Sequence, residues 1–344
     1  MENILNKTKN YFRCIGTLYE KALERKAIKV KQFDADRNLV GEVDGELISG
    51  KIAVRTTNGI ITFGAYYSTP NSYPDKEGKY TEGKQWAMAQ KMMGWVPEIN
   101  KAEKEKGQEP TEVNLEGTVA IYDKVTDGRM YSNLSWKIQK AERNTADGNG
   151  CSLNATCYIS KIVPEVRNED ETGRLLVTLY AADNRGRCYP IDAIVEADMA
   201  DAFTDAYETE QTVNFDFDRI MRHVGSKSTT KKAFGKASSV TVNSGFDVEE
   251  LIITGADEPI EEPDELTTED ENGNEVEVKT EWINPKTMKK AIKARAQMLE
   301  ELKDKPADTK KPTSFKEKKA AMSKPKTKPS EDFVDELLDD DMPF

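Results

Sequence analysis

The sequence predicts an all-β fold in which each of two similar halves carries one short helix. From Tyr11 to Ile253, short runs of alternating apolar and polar residues are separated by turn signals such as Asn58-Gly59, which is the pattern of antiparallel strands. Apolar residues occur at helical spacing in this region at 84–95 and at 196–207. The same order of elements appears twice, which indicates an internal repeat.

The two halves correspond element by element, with five strand signals in each and the helix between the third and the fourth. The strand signals lie at 15–21, 45–55, 60–66, 113–117 and 135–138 in the first half, and at 155–161, 173–182, 187–191, 213–217 and 245–248 in the second. A helix between the third and fourth of five strands is the arrangement of an OB-fold. We therefore predict two tandem OB-fold-like barrels followed by a disordered tail. A single larger β-rich domain is the structural alternative.

The composition limits the compartment and the chemistry of the protein. The sequence is 33% charged and 37% hydrophobic, which is typical of a chain that is partly disordered. No apolar run approaches the roughly 20 residues of a membrane span, and the N-terminus lacks the apolar region of a signal peptide, so we expect a cytoplasmic protein. We expect no metal and no cofactor, because His223 is the only histidine and the cysteines form no CxxC pair.

The negative charge is concentrated in the sequence that follows the predicted barrels. Of the net charge of −12, residues 255–344 carry −8, so a nucleic-acid site would be a local basic strip on the remainder. The amphipathic segment in this tail is expected either to present its basic face to DNA or a partner, or to pack on a core. The predicted division is barrel one at 1–145, barrel two at 146–256, an acidic linker at 257–283, an amphipathic basic helix at 284–303, a disordered Lys-rich tether at 304–330 and an acidic partner-binding tip at 331–344.

The tip combines seven acidic residues with an apolar ending and no base. A partner can bind such a peptide with a small hydrophobic pocket, a cation for the carboxylate and a basic rim. The predicted partner-binding residues are Asp339, Asp340, Asp341, Met342, Pro343 and Phe344. This ending resembles the C-terminal peptide of bacterial single-stranded DNA-binding proteins, in which aspartates precede an aliphatic residue, proline and phenylalanine. A solubilising acidic tail that ends in phenylalanine is the alternative.

The resemblance implies a protein that binds single-stranded DNA (ssDNA) without strong sequence preference during replication, recombination and repair. It also implies that the tip recruits primase, helicase, exonuclease and recombination mediators. The bacterial proteins carry one OB-fold per subunit and form tetramers, so two barrels per chain favour a monomer or a dimer. The length suits a bacteriophage-encoded protein that acts in the host cytoplasm.

Two other classes of function stay open at this point. A replisome-associated adaptor would use its β-domains to bind protein rather than DNA. An enzyme, such as a nuclease or an annealing recombinase, is not expected, because the sequence has no glycine-rich phosphate loop. Its DxD spacing at Asp216 and Asp218 falls within ordinary strand alternation.

The predicted ssDNA-binding residues are aromatics that can stack on bases and cations that can follow phosphates. They are Arg55, Tyr66, Tyr67, Tyr73, Trp136 and Lys137 in the first half, and Tyr180, Arg185, Arg187, Tyr189, Arg222, Lys227, Lys231, Lys232, Phe234 and Lys236 in the second. The run from Arg222 to Lys236 contains no acidic residue and falls where the loop between strands four and five is expected. Lys124, Arg129 and Tyr131 lie near this set. The alternatives are a solvated basic loop and, for Trp136, a core position.

Overall fold

The fold is described by a computed structural model. It covers residues 8–35, 38–75, 78–99, 107–126, 129–144, 148–167, 170–182, 187–224, 229–233, 236–240, 246–260, 267–269, 275–277 and 285–304. Two short strand pairs, 229–233 with 236–240 and 267–269 with 275–277, are described by their backbone alone.

The first barrel consists of five antiparallel strands and one helix. These are β1 (Asn10–Phe33), β2 (Leu39–Thr56), β3 (Gly59–Thr69), α1 (Lys84–Met93), β4 (Glu112–Thr126) and β5 (Arg129–Arg143). β1 pairs with β2 and β4, β2 pairs with β3, and β4 pairs with β5. Across the remaining gap between β3 and β5, Tyr67 Oη donates a hydrogen bond to the carbonyl oxygen of Ile138 at 3.1 Å.

The second barrel closes completely. Its elements are β6 (Gly150–Arg167), β7 (Asp170–Ala182), β8 (Cys188–Val195), α2 (Ala200–Ala206), β9 (Thr212–Val224), the hairpin β10 (Thr229–Ala233) and β11 (Lys236–Val240), and β12 (Phe246–Ala256). The strands pair in the order β6-β7-β8-β12-β9 and return to β6, with β8 and β12 parallel.

This strand order, with the helix between the third and fourth strands, is that of an OB-fold. The predicted fold class of two tandem OB-fold-like barrels, each with one short helix, is therefore confirmed. The predicted disordered tether and the acidic tip lie outside the described residues.

Strand alternation explains the core of the first barrel. Ile52, Val54, Ile61 and Phe63 are almost completely buried, and in the β2–β3 register they form two directly opposite pairs. Between these positions lie polar or small residues that point outward. Most of the buried apolar side chains described in the two barrels belong to one continuous core.

The barrels are joined along their first strands. Residues 10–15 of β1 pair antiparallel with residues 150–155 of β6, so one sheet runs through both barrels. Buried Asn10 fixes this joint: its Nδ2 donates to the carbonyl oxygens of Val119 (2.7 Å) and Ala182 (3.1 Å), and its Oδ1 accepts from the Val119 amide (3.0 Å). A buried side-chain amide with all these partners is stable only when both barrels are in register.

A second joint is made by Arg219 of β9, which fills the gap in the first barrel. Its guanidinium carbon lies 4.2 Å from the ring centroid of Trp136 and 5.1 Å from that of Phe63. The same guanidinium forms two hydrogen bonds with Glu249, at 2.9 and 2.7 Å, and the side chain of Arg219 is only 5% exposed. The second barrel thus supplies the wall that the first barrel lacks between β3 and β5.

The last described segments follow the second barrel. A short hairpin pairs β13 (Thr267–Glu269) with β14 (Glu275–Glu277), and helix α3 spans Pro285–Asp304. Helix α3 packs back on the barrels through Met288, which is fully buried against Tyr158, Ala182 and Cys188. None of the helices in the described part of the chain has the length and apolarity that crossing a membrane requires.

Candidate nucleic-acid interface

The β4–β5 hairpin extends beyond the first barrel. β1 pairs with β4 only from Glu112 to Gly117, whereas β4 and β5 remain paired to Thr126 and Arg129. Directly opposite residues on two strands share a face, and every second residue returns to that face. Val119 and Trp136 are opposite each other and buried in the barrel. The residues that alternate with them along β4 and β5 therefore form the outward face.

The outward face of this hairpin carries cations and tyrosines, which we call the hairpin face. It consists of Tyr122, Lys124, Arg129, Tyr131 and Lys137. Lys124 lies opposite Tyr131, which is 46% exposed. The other described side chains on this face belong to Thr118, Asn133, Ser135 and Ala120, of which Ala120 is buried. In this described stretch the face therefore contains no acidic side chain. Such a face offers rings to bases and cations to phosphates.

A second, weaker surface lies on the outward face of β2 and β3, where OB-folds bind ligands. Predicted residues Arg55 and Tyr66 both lie on this face, with Lys51 between them in the register. Arg55 is not free, because its Nε donates to Glu98 at 2.8 Å. Glu24 on β1 also belongs to this face, opposite Ser49. This surface therefore includes an acidic residue, whereas the described side chains of the hairpin face include none.

Three of the predicted base-stacking rings belong to the core. Tyr67, Trp136 and Tyr189 are 6%, 7% and 0% exposed. Trp136 packs edge-on against Phe12 at 5.3 Å and beneath Arg219. The prediction that a base stacks on these rings is wrong, because strand alternation directs all three into the barrels. For Tyr67 the cause is the length of β3, which continues to Thr69, beyond the predicted strand signal at 60–66.

Predicted residue Arg222 is bound to carboxylates of the second barrel. It forms ion pairs with Glu196 at 2.8 Å and with Glu250 at 3.1 Å. Glu250 also receives hydrogen bonds from Arg167 and from Arg174. Burial raises the pKa of Glu250, but these hydrogen bonds and the nearby guanidinium charges outweigh it, so the net pKa is lowered. The charge of Arg222 is thus balanced within the protein, which argues against its predicted contact with phosphate.

The remaining predicted ssDNA-binding residues that the structure describes lie at separate places in the fold. Tyr73 stacks on Phe33, with ring centroids 5.3 Å apart, and covers the end of β1. Tyr180 lies on the outward face of the second barrel, where it packs near helix α3. Arg187 is half-buried immediately before β8. Of the predicted set, only Lys137 belongs to the hairpin face.

Several predicted residues lie wholly or partly outside the description. Arg185, Lys227, Phe234 and all six tip residues from Asp339 to Phe344 are outside the described residues. Lys231, Lys232 and Lys236 are placed by their backbone in the β10–β11 hairpin, where Lys236 pairs with Ala233. This hairpin connects β9 and β12, which are the fourth and fifth strands of the second barrel.

The sequence prediction omits Tyr122 and Lys51 and does not select Lys124, Arg129 or Tyr131. A signal for the hairpin face is nevertheless present in the sequence. The Asp127-Gly128 dipeptide is a strong two-residue turn signal, and it sets the register of the flanking strands. From that register, alternation alone places all five residues of the hairpin face on one side.

The fold and the hairpin face define a tandem OB-fold protein with cations and tyrosines on the outward face of its β4–β5 hairpin. The chain belongs to the YorF family, whose profile matches residues 9–305. None of the curated proteins is significantly similar to it in sequence.

Two solved structures of the single-stranded DNA-binding protein from Thermus aquaticus are similar to the chain. One is the wild type, with 9% identity and a TM-score of 0.37, and the other is a deletion mutant, with 10% identity and a TM-score of 0.36. Each match covers 75% of this chain and 97% of the other. Similarity at this level says nothing about the ligand of this chain.

Proposed function

We propose that the protein binds ssDNA without strong sequence preference and that the hairpin face is the main contact surface. The observation that carries this proposal is the grouping of three cations and two tyrosines on one outward face, at the position of the loop between strands four and five. That loop is one of the two through which OB-folds bind oligonucleotides.

The chemistry of the hairpin face favours a single strand over a duplex. Tyr122 and Tyr131 present rings on which unpaired bases can stack, at about 1–3 kcal/mol per base, whereas the bases of a duplex are already stacked on each other. Lys124, Arg129 and Lys137 can follow the phosphates, which every sequence shares. None of these contacts reads the edge of a base, so the proposed binding is tolerant of sequence.

Neutralising two cations of the hairpin face is expected to weaken ssDNA binding and its salt dependence. Each lost phosphate contact lowers the slope of log K against log salt by about 0.7, so Lys124→Gln with Arg129→Gln should lower it by about 1.4. Fluorescence anisotropy of a labelled oligothymidine, titrated at several salt concentrations, measures both quantities. Lys91→Gln, an exposed charge on α1 away from the hairpin, is the matched control and should change neither.

The same titration distinguishes DNA binding from the adaptor function. Equal affinity of the wild-type protein for ssDNA and duplex, or an affinity that does not respond to salt, would contradict the proposal and favour β-domains that bind protein. The proposed binding unit is a monomer or a dimer, since each chain already carries two barrels.

We further propose that the protein serves DNA replication, recombination and repair by delivering partners to ssDNA through its acidic tip. The support is the sequence of the tip, which combines a phenylalanine anchor with clustered aspartates. The proposed partners are primase, helicase, exonuclease and a recombination mediator.

Deleting residues 339–344 is expected to abolish capture of these partners while leaving ssDNA affinity unchanged or higher, because the acidic tip competes with DNA for cations. Pull-downs with the purified partners measure the first effect, and anisotropy measures the second. Phe344→Ala, which keeps every aspartate, should also lose the partners if the aromatic anchor is required. Retention of the same partners by the truncated protein would exclude recruitment by the tip.

A further inference from the structure

Helix α3 covers the face of the second barrel that an OB-fold offers to its ligand. Tyr158 lies opposite Tyr180, and Ala182 lies opposite Cys188, on the outward side of β6, β7 and β8. This side of strands two and three is where ligands of OB-folds bind. Met288 of α3 is 0% exposed in the cluster formed there. The helix therefore occupies a surface that DNA would otherwise use.

The same helix binds the back of the β4–β5 hairpin through Arg295. Its Nη1 donates to Asp123 Oδ2 at 2.9 Å, its Nη2 donates to Asp123 Oδ1 at 2.7 Å, and a longer bond of 3.4 Å reaches Ser132 Oγ. The side chains of Arg295 and Asp123 are only 7% and 4% exposed. A bidentate pair with this little exposure fixes both the distance and the orientation of its partners.

Asp123 and Ser132 lie on the opposite side of the hairpin from the hairpin face. They are directly opposite each other and lie on the same side of the hairpin as Val119 and Trp136. Lys124 and Tyr131 lie on the other side. Arg295 thus contacts the hairpin without covering the side proposed to bind DNA.

This part of the hairpin needs an external support. Beyond Gly117, β4 pairs with β5 alone among the described residues, and Ile121 is the last described residue of β4 that is buried in the core. Beyond Ile121 the described part of the hairpin is a two-stranded ribbon, which is marginally stable in water without other support. A ribbon that moves must be ordered when it binds, and this loss of conformational entropy weakens affinity. Support from behind removes that cost before DNA arrives.

We propose that helix α3 is a strap that fixes the β4–β5 hairpin to the second barrel, with Arg295 as the residue that positions the hairpin face for ssDNA. In this proposal, helix α3 of the same chain occupies the face of β7 and β8 on which an OB-fold binds its ligand. The positioning role rests on the proposed ssDNA-binding function, whereas the strap itself does not.

The test uses three full-length variants in ssDNA titrations at several salt concentrations. Arg295→Gln should lower affinity about fivefold, equivalent to about 1 kcal/mol, with no change in the salt slope, because Arg295 touches no phosphate. Asp123→Asn should weaken binding in the same direction, although it removes a negative charge from the hairpin. Arg295→Lys keeps the charge and should recover only part of the affinity, since it cannot form the bidentate pair.

Lys290→Gln is the matched control, because it removes one positive charge from an exposed position on the same helix. It should leave both affinity and hairpin mobility unchanged. Mobility is measured by amide hydrogen exchange of peptides from 118–137, which should be faster in Arg295→Gln and in Asp123→Asn than in the wild type.

Each other outcome overturns the proposal in a recognisable way. A rise in affinity for Arg295→Gln would make α3 an inhibitor of the second barrel. A fall in salt slope by about 0.7 would make Arg295 a direct phosphate contact. If hydrogen exchange of the 118–137 peptides were the same in the variants as in the wild type, helix α3 would not fix the hairpin, and the proposal would be wrong. If the wild type does not bind ssDNA but exchange does accelerate in the variants, the proposed function fails while the strap stands.

Discussion

Arg219→Ala is expected to lower the free energy of unfolding by about 3 kcal/mol, since it removes a buried guanidinium that two rings and one carboxylate hold. Arg219 belongs to the second barrel and closes the first barrel by lying over the rings of Phe63 and Trp136. Its loss opens the gap between β3 and β5 and leaves Glu249 without its partner. Urea denaturation monitored by tryptophan fluorescence measures the change, because Trp136 lies at the joint.

Arg25→Ala provides the matched control for Arg219→Ala. Arg25 also lies over a tryptophan, Trp86, at 5.5 Å and pairs with a glutamate, Glu46, but it is on the surface. Solvent screens this pair, so its removal should leave the free energy of unfolding nearly unchanged in the same urea denaturation. Equal effects of the two substitutions would show that Arg219 does not couple the barrels.

Glu250→Gln is expected to cost about 3–5 kcal/mol, because it leaves buried guanidinium charge without its central counterion. Glu250 is 5% exposed and lies among Arg167, Arg174 and Arg222. Glu165 and Glu196 share the same three arginines but do not replace the contact that Glu250 makes with each of them. Chemical denaturation at neutral pH measures the loss.

The same carboxylate gives the wild-type protein a defined acid response. The pKa of Glu250 is lowered in the folded state, where the arginine hydrogen bonds outweigh the opposing effect of burial. A lowered pKa stabilises the fold above the unfolded-state pKa of about 4.3, and this stabilisation is lost as the pH falls through the folded-state pKa. Stability of the wild type should therefore decline below about pH 4.3, and the variant should lack this component.

Glu24→Gln is the control for Glu250→Gln, because Glu24 belongs to a surface ion pair and not to the buried network. Hydrogen bonding from Lys26 lowers the pKa of Glu24 as well, but Glu24 is exposed. Its replacement should change neither the stability at neutral pH nor the acid response. A wild type whose stability is constant between neutral pH and pH 3 would contradict the role assigned to Glu250.

The repeat was predictable because strands and helices leave local periodic signals. The helical spacing at 84–95 corresponds to α1 (Lys84–Met93), and the turn predicted at Asn58-Gly59 lies one residue from the observed turn at Thr57-Asn58 between β2 and β3. What local signals do not contain is strand length. β1 extends to Phe33 and β3 to Thr69, because both continue as long as a partner strand lies beside them.

The binding residues were less predictable, because their role depends on which side of a strand they occupy. Tyr67 and Tyr131 are both tyrosines near cations, yet Tyr67 is 6% exposed and Tyr131 is 46% exposed. A shift of one residue in register exchanges these two situations. Likewise, Arg222 resembles a free basic residue until the fold brings Glu196 and Glu250 to it.

The sequence by itself determined the number of barrels, the place of each helix and the concentration of acid in the tail, because all three are properties of neighbouring residues. Only the tertiary structure decided that Arg219 closes the first barrel and that α3 covers the second. It also decided that Arg295 reaches Asp123, a partner 172 positions away. Contacts between distant residues depend on how complete elements pack, and no local pattern records them.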